Sequence, residues 1–177
     1  VTNMGNMFNT ATTFNQDISN WNVSNVTDMN GMFYEANSFN QPLNSWNVSN
    51  VTDMTYMFTD ATAFDQDISM WDTSNVLGMS YMFNTASVFN QDISGWNTSN
   101  VTNMGNMFNN AEAFNQPLNS WNVSNVTDMN YMFNSAIAFD QDISMWDTSN
   151  VLGMSYMFNT ATDRKSTRLN SSHQASS

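Results

Sequence analysis

The amino-acid sequence predicts an α/β solenoid in which every 25-residue turn carries one short parallel strand and one short helical segment. Three observations lead there. The chain repeats with a fixed period. Within each period apolar residues fall at the 3-4 spacing of an amphipathic helix, and a few residues later on alternate positions. A repeat this short buries its apolar side only against its neighbours, so the copies must stack.

The period is read from Val1, Val26, Val51, Val76, Val101, Val126 and Val151, each of which opens a copy of V-T-x-M-x-x-M-F-x-x-A-x-x-F-(N/D)-Q-x-(I/L)-x-x-W-(N/D)-(V/T)-S-N. Six full repeats (1–25, 26–50, 51–75, 76–100, 101–125, 126–150) and a partial seventh (151–162) make a single solenoid. A 75-residue period lies over the first: Gln41 to Trp46 returns as Gln116 to Trp121, and Phe64 to Asp72 as Phe139 to Asp147, the mark of a duplicated cassette.

In the second repeat Val26, Met29, Met32, Phe33 and Ala36 form the buried stripe of the predicted helix. Asn25 is placed as its N-cap, and Asp28 sits near its positive end. Phe39 follows in a loop. In Leu43, Trp46, Val48 and Val51 the predicted strand turns Trp46 and Val48 inward and Ser45, Asn47 and Ser49 outward. Of the 16 methionines, all but Met70 and Met145 stand in two ladders that begin at Met4 and Met7. Thioethers in rows suit a soft metal such as copper(I). Their helical spacing beside the Phe8, Phe33, Phe58 series makes them core filling instead. The Trp21, Trp46, Trp71, Trp96, Trp121, Trp146 ladder is read the same way.

The phrases Phe39-Asn40-Gln41-Pro42-Leu43, Trp46-Asn47-Val48-Ser49-Asn50-Val51-Thr52 and Met54 to Phe58 resemble the repeat of the BspA-like leucine-rich-repeat surface proteins of bacteria. The resemblance covers residues 1–162. It implies a leucine-rich-repeat-like coil, a cell-surface or secreted location, a place in a long adhesive array and no enzymatic activity of the repeat itself. Leu43-x-x-Trp46-x-Val48-x-x-Val51 fits the L-x-x-L-x-L-x-x-N/C frame with one departure. Val51 stands where asparagine or cysteine is usual, and Asn50 is the neighbour positioned to substitute.

The pattern stops in mid-repeat after Ala161, and Arg164, Lys165, Arg168 and His173 all lie beyond it. Residues 163–177 are read as a disordered, artefactual tail, because Asp163 to His173 resembles the translated read-through of a sequencing adapter. The chain is correspondingly read as an internal piece of a longer protein. One of the 15 acidic residues is Asp163, so residues 1–162 carry fourteen carboxylates and no basic side chain. Such a surface repels phosphate backbones and anionic lipid, which disfavours nucleic-acid partners. No apolar run is long enough to predict membrane insertion. Cysteine is absent, so neither disulfides nor thiolate metal sites are available.

With the tail set aside, serine nucleophiles have no base and oxyanions no cationic partner, so no catalytic residue and no cofactor is assigned. Calcium is the weak metal candidate: Asp67 and Asp92 share a register, with Asp65 and Asp72 nearby and Asp140, Asp142 and Asp147 in the duplicate cassette. The competing reading is local Asx turns. Asn-x-Ser/Thr triplets at Asn22, Asn25, Asn47, Asn50, Asn97, Asn100, Asn122 and Asn125 match a glycan acceptor, yet follow from the repeat and read as turn and cap residues.

Two surfaces remain for recognition. One is an exposed strand strip of Asn22/Ser24, Asn47/Ser49, Asp72/Ser74, Asn97/Ser99, Asn122/Ser124 and Asp147/Ser149. The other is the row Tyr56, Tyr81, Tyr131 and Tyr156, which offers stacking to a sugar or a side chain. The sequence therefore predicts an extracellular structural or adhesive module that binds a surface protein or glycan, with ice or lattice binding as the alternative and a calcium-stabilised surface repeat as the second. Open ends exposing Met4, Met7 and Phe8, or Met154, Met157 and Phe158, predict end-to-end association.

Overall fold

The computed structural model describes residues 1–160, and the tail assignment for 163–177 falls outside them. The 25-residue copies stack one on another, as the period requires. Parallel bridges tie Asn3 to Asp28, Asp28 to Asp53, Asp53 to Gly78, Gly78 to Asn103, Asn103 to Asp128 and Asp128 to Gly153, one residue per turn. Among the described residues there is no helix, and no strand longer than these isolated bridges. The predicted α/β turn, with a helix and a strand in each copy, is therefore overturned.

The reason lies in how each repeat closes its hydrogen bonds. In the second copy Met32 N–H donates to Met29 C=O (3.1 Å) and Ala36 N–H to Phe33 C=O (3.0 Å), the bonds of two successive four-residue turns. Between them the chain reaches forward: Met29, Gly31, Phe33 and Glu35 N–H donate to Asp53, Thr55, Met57 and Thr59 C=O at 2.8–3.0 Å. Gly31 and Glu35 occupy the third position of each turn with φ of 60° and 54°. A left-handed third residue is the mark of the type II family and ends any right-handed helix. Two turns of four place their end residues at 29, 32, 33 and 36, the positions a helix stripe would also use. All four are buried, so the same residues fill the core from paired turns as would fill it from a helix.

The predicted strand resolves the same way. Trp46 N–H donates to Leu43 C=O (3.0 Å) and Val51 N–H to Val48 C=O (2.8 Å), so Leu43, Trp46, Val48 and Val51 are the buried ends of two more turns. Asn25 caps no helix. Its equivalents Asn50, Asn75, Asn100, Asn125 and Asn150 donate Nδ2 to Ser24, Ser49, Ser74, Ser99 and Ser124 C=O, each at 2.7 Å. Asn50 thus ties turn to turn, from an exposed position rather than a buried one.

Inside the coil every apolar register stacks on itself. Phe33 lies 5.4 Å from Phe58 and 4.1 Å from Phe39 in its own turn, with rings nearly parallel. Trp71 and Trp96 stack at 6.2 Å. The indole N–H of Trp46, Trp71, Trp96, Trp121 and Trp146 each finds an acceptor, as Trp71 Nε1 does in Leu43 C=O at 3.0 Å. Trp21 in the first turn is the exception to the buried ladder, being 40% exposed. Met70 and Met145, the two methionines outside the ladders, project into solvent. At the ends Met7 is exposed and Phe8, Met154 and Phe158 are half-buried, whereas Met4 and Met157 are buried, contrary to expectation.

Candidate functional site

The apolar turn ends fill the core, and most of the residues within and between the turns face outward, with Thr59 and Gly105 as buried exceptions. The Asn22/Ser24 row and its equivalents lie on one face, but as a row of Asx turns and not as a strand. Asn47 Oδ1 accepts Ser49 N–H at 3.1 Å, Asp72 Oδ1 accepts Ser74 N–H at 3.0 Å, and Asn22, Asn97, Asn122 and Asp147 do the same for Ser24, Ser99, Ser124 and Ser149. The oxygen of each pair is turned onto its own backbone. Asn22, Asn47, Asp72, Asn97, Asn122 and Asp147 stay exposed. The hydroxyl and N–H of Ser74 hold the Asp72 carboxyl below the ordinary carboxylate range, and Ser149 does the same for Asp147.

The carboxylates considered for calcium are occupied in similar ways. Asp67, Asp92 and Asp142 cap Ser69, Ser94 and Ser144 N–H at 2.9 Å each. Asp67 Oδ2 also accepts from Asn44 Nδ2 at 2.9 Å. Asp65 belongs to another ladder, in which its Oδ1 accepts Asn90 N–H (2.9 Å) and Gln91 Nε2 (2.8 Å) from the next turn. In the duplicate cassette Asp140 donates its own N–H to Asn115 Oδ1 at 2.9 Å. Among the described residues no group of three or more Asp, Glu, His or Cys converges as a metal site would require.

The tyrosines stand at the left-handed third position of the first turn of their repeats. Tyr56, Tyr81, Tyr131 and Tyr156 have φ of 60°, 59°, 57° and 57°, in register with Asn6, Gly31 and Asn106. A bulky residue in this region is a backbone outlier, at a cost of about 1–2 kcal/mol. Their rings stack along the coil: Tyr56 on Tyr81 at 4.7 Å and Tyr131 on Tyr156 at 5.0 Å. Asn106 interrupts the row. Where a fifth ring would stand, a shallow cleft of about 610 Å³ opens between Tyr81 and Tyr131, with Asn106, Asn109, Asp128 and Asn130 on its walls. The four tyrosines were legible as a row in the sequence; the gap between them was not drawn from it, although Asn106 is its visible sign.

Beside this row Asn134 Nδ2 donates to Asn109 Oδ1 at 2.7 Å, and one turn earlier in that register Asn84 Oδ1 is buried without a partner among the described residues. Burial, and then the nearby Tyr56, Asp128 and Tyr131, raise the Tyr81 hydroxyl above its ordinary pKa, so it remains a donor at neutral pH.

The sequence matches the family described as "Mycoplasma protein of unknown function, DUF285" over residues 1–94 and again over 65–172. Together the two matches span nearly the whole chain. The chain belongs to the DUF285 family. No curated protein matches it. The overlap of the two DUF285 matches, at 65–94, reflects the internal period: one family unit fits the same stacked turns in more than one register.

Proposed function

We propose that this DUF285 chain is a non-catalytic display module of the BspA-like kind, a structural or adhesive segment of a larger bacterial surface or secreted protein. The observation that carries the reading is the division of labour within the repeat. The apolar turn ends are consumed by the core, while Asn22, Asn47, Asp72, Asn97, Asn122 and Asp147, which stand between successive turns, present an exposed polar side chain at six levels of the stack. A partner meeting one turn can meet the next in the same way, which favours weak contacts summed over many copies. The fourteen carboxylates and the lack of any basic side chain in residues 1–162 direct such contacts to neutral or basic partners, proteins or glycans.

The test is attachment of the purified chain to surfaces coated with desialylated, desulfated mucin glycoprotein or with sialidase-treated fixed epithelial cells. Asn47→Lys, Asp72→Lys and Asn97→Lys together should abolish attachment with an unchanged circular dichroism spectrum. Wild-type protein that attaches to neither surface would overturn the reading. A lattice-binding reading has one feature in its favour, the exposed Thr27, Thr52, Thr102 and Thr127 row. It requires thermal hysteresis that grows with the number of repeats.

A further inference from the structure

We propose that the gap in the tyrosine row at Asn106 is a binding slot for one neutral pyranose ring of a glycan, held between the faces of Tyr81 and Tyr131. The inference deepens the adhesive reading and rests on it for biological context, though the slot is argued from its own geometry.

Four observations converge. First, Tyr56–Tyr81 and Tyr131–Tyr156 show how rings in this register lie: face to face, one turn apart, at 4.7 and 5.0 Å with interplanar angles of 22° and 16°. Tyr81 and Tyr131 are two turns apart with no ring between them, so their faces are separated by about 10 Å, twice the spacing of neighbouring backbones. That separation admits one ring. A pyranose presents C–H groups of slight positive charge on its faces, matched to the negative face of an aromatic ring.

Second, the rim of a pyranose needs both donors and acceptors, and the slot supplies them. Asn106 Oδ1 receives Asn109 Nδ2 at 3.4 Å, and Asn130 Oδ1 receives Ser155 N–H at 2.8 Å. The Nδ2 group of Asn106 is then left as a donor without a protein partner among the described residues, whereas the Asn130 amide is turned onto Gly153 and Ser155 of the next turn. Asp128 Oδ1 caps Asn130 N–H at 2.9 Å and leaves Oδ2 as an acceptor.

Third, the sign of the charge selects the ligand. Asp128 lies on the wall and residues 1–162 carry no basic side chain, so phosphorylated, sulfated and acidic sugars are repelled. Fourth, the platform is rigid and costly. Tyr81 and Tyr131 sit in the left-handed region, where Asn106 and Gly31 sit with less strain. Each is also braced from behind by the stacked ring of Tyr56 or Tyr156. Backbone outliers that hold half-exposed rings in fixed orientation fit a contact surface better than a core requirement.

The experiment titrates the full chain with cellotetraose, mannotetraose and tetra-N-acetylchitotetraose, followed by saturation-transfer NMR. At least one should bind with a Kd of about 1 mM, as suits a shallow site. Tyr81→Ala and Tyr131→Ala should each weaken it at least about tenfold. Asn106→Tyr should abolish it by completing the row. That variant should fold, because Asn106 already has the φ of 58° that the tyrosines adopt. Met70→Ala, at an exposed side chain outside the lining of the slot, should leave affinity unchanged. The proposal is overturned by tetrasaccharides that fail to bind, by binding that survives Asn106→Tyr, or by tetramethylammonium or N-acetyltyrosinamide binding the slot more tightly than any sugar. Mucin attachment that persists in Asn106→Tyr, with no tetrasaccharide bound, would refute the slot and leave the adhesive reading standing. Slot binding without attachment would do the reverse.

Discussion

Single side chains in this coil are tested by their neighbours one turn away, since every register is sampled several times. Asn84 is the residue that fits its register worst. At the equivalent position Thr59 is buried and its hydroxyl donates to Tyr81 C=O at 2.5 Å, whereas Asn84 Oδ1 is buried without a partner among the described residues. Asn84→Thr would place a hydroxyl where the Asn106 carbonyl can accept it. It is predicted to stabilise the protein by about 1 kcal/mol, read as a higher denaturation midpoint at unchanged slope. A lower midpoint would show that the asparagine amide contributes more than its orphaned oxygen costs.

At the scale of the turn, the sequence carried more than was read from it. Met29, Met32, Phe33 and Ala36 satisfy a helix stripe and a pair of four-residue turns equally well, so apolar spacing alone could not choose between them. The deciding signal would have been the third residue of each turn. Several of those positions hold Tyr56, Tyr81 and Thr85, which hide the conformation, and among the left-handed residues Gly31 and the asparagines Asn6, Asn106 and Asn110 are the ones whose type favours it. A sign test follows. In a helix, Gly31→Ala would stabilise by about 1 kcal/mol. At φ 60°, with the new Cβ 2.6 Å from Asn6 Oδ1, it is predicted to destabilise by about 1 kcal/mol instead. Gly31→Asn should be tolerated better, because Asn106 adopts the same φ.

The Asx turns were legible, because an Asp or Asn two residues before a serine has a local use wherever it stands. Asp17, Asp72, Asp92 and Asp147 are held below their ordinary value of 3.8 by the serine hydroxyl and N–H they cap. Their folded pKa values are lowered, so this stabilisation is complete above the ordinary value and lost as pH falls through the lowered ones. Asp60 runs the other way: burial raises it, so its charge opposes folding above that raised value and the cost vanishes on acidification. Wild-type protein should lose stability below pH 3.8, and a variant with all four capping aspartates changed to Asn should lose less. Asn already makes the same cap at Asn47 and Asn97, so the variant should remain folded at neutral pH.

For the whole molecule, the period and core were open to reading because stacking forces every copy to bury the same residues. The outward faces were less so, since the slot arises from the absence of a ring at Asn106 and has no motif of its own. Fourteen carboxylates without basic partners make residues 1–162 self-repelling. Raising NaCl from about 10 mM to about 500 mM should therefore raise the thermal midpoint, as screening shortens the range of that repulsion. A fall would mean that attractive contacts dominate the surface.

The repeat is a helix-free stack of turns throughout residues 1–160. Far-UV circular dichroism of the folded chain tests it directly. A spectrum without the paired minima at about 208 and 222 nm is expected, since no residue from 1 to 160 lies in a helix. Strong paired minima that melt cooperatively with the fold would contradict it, and would restore a helical segment to every turn.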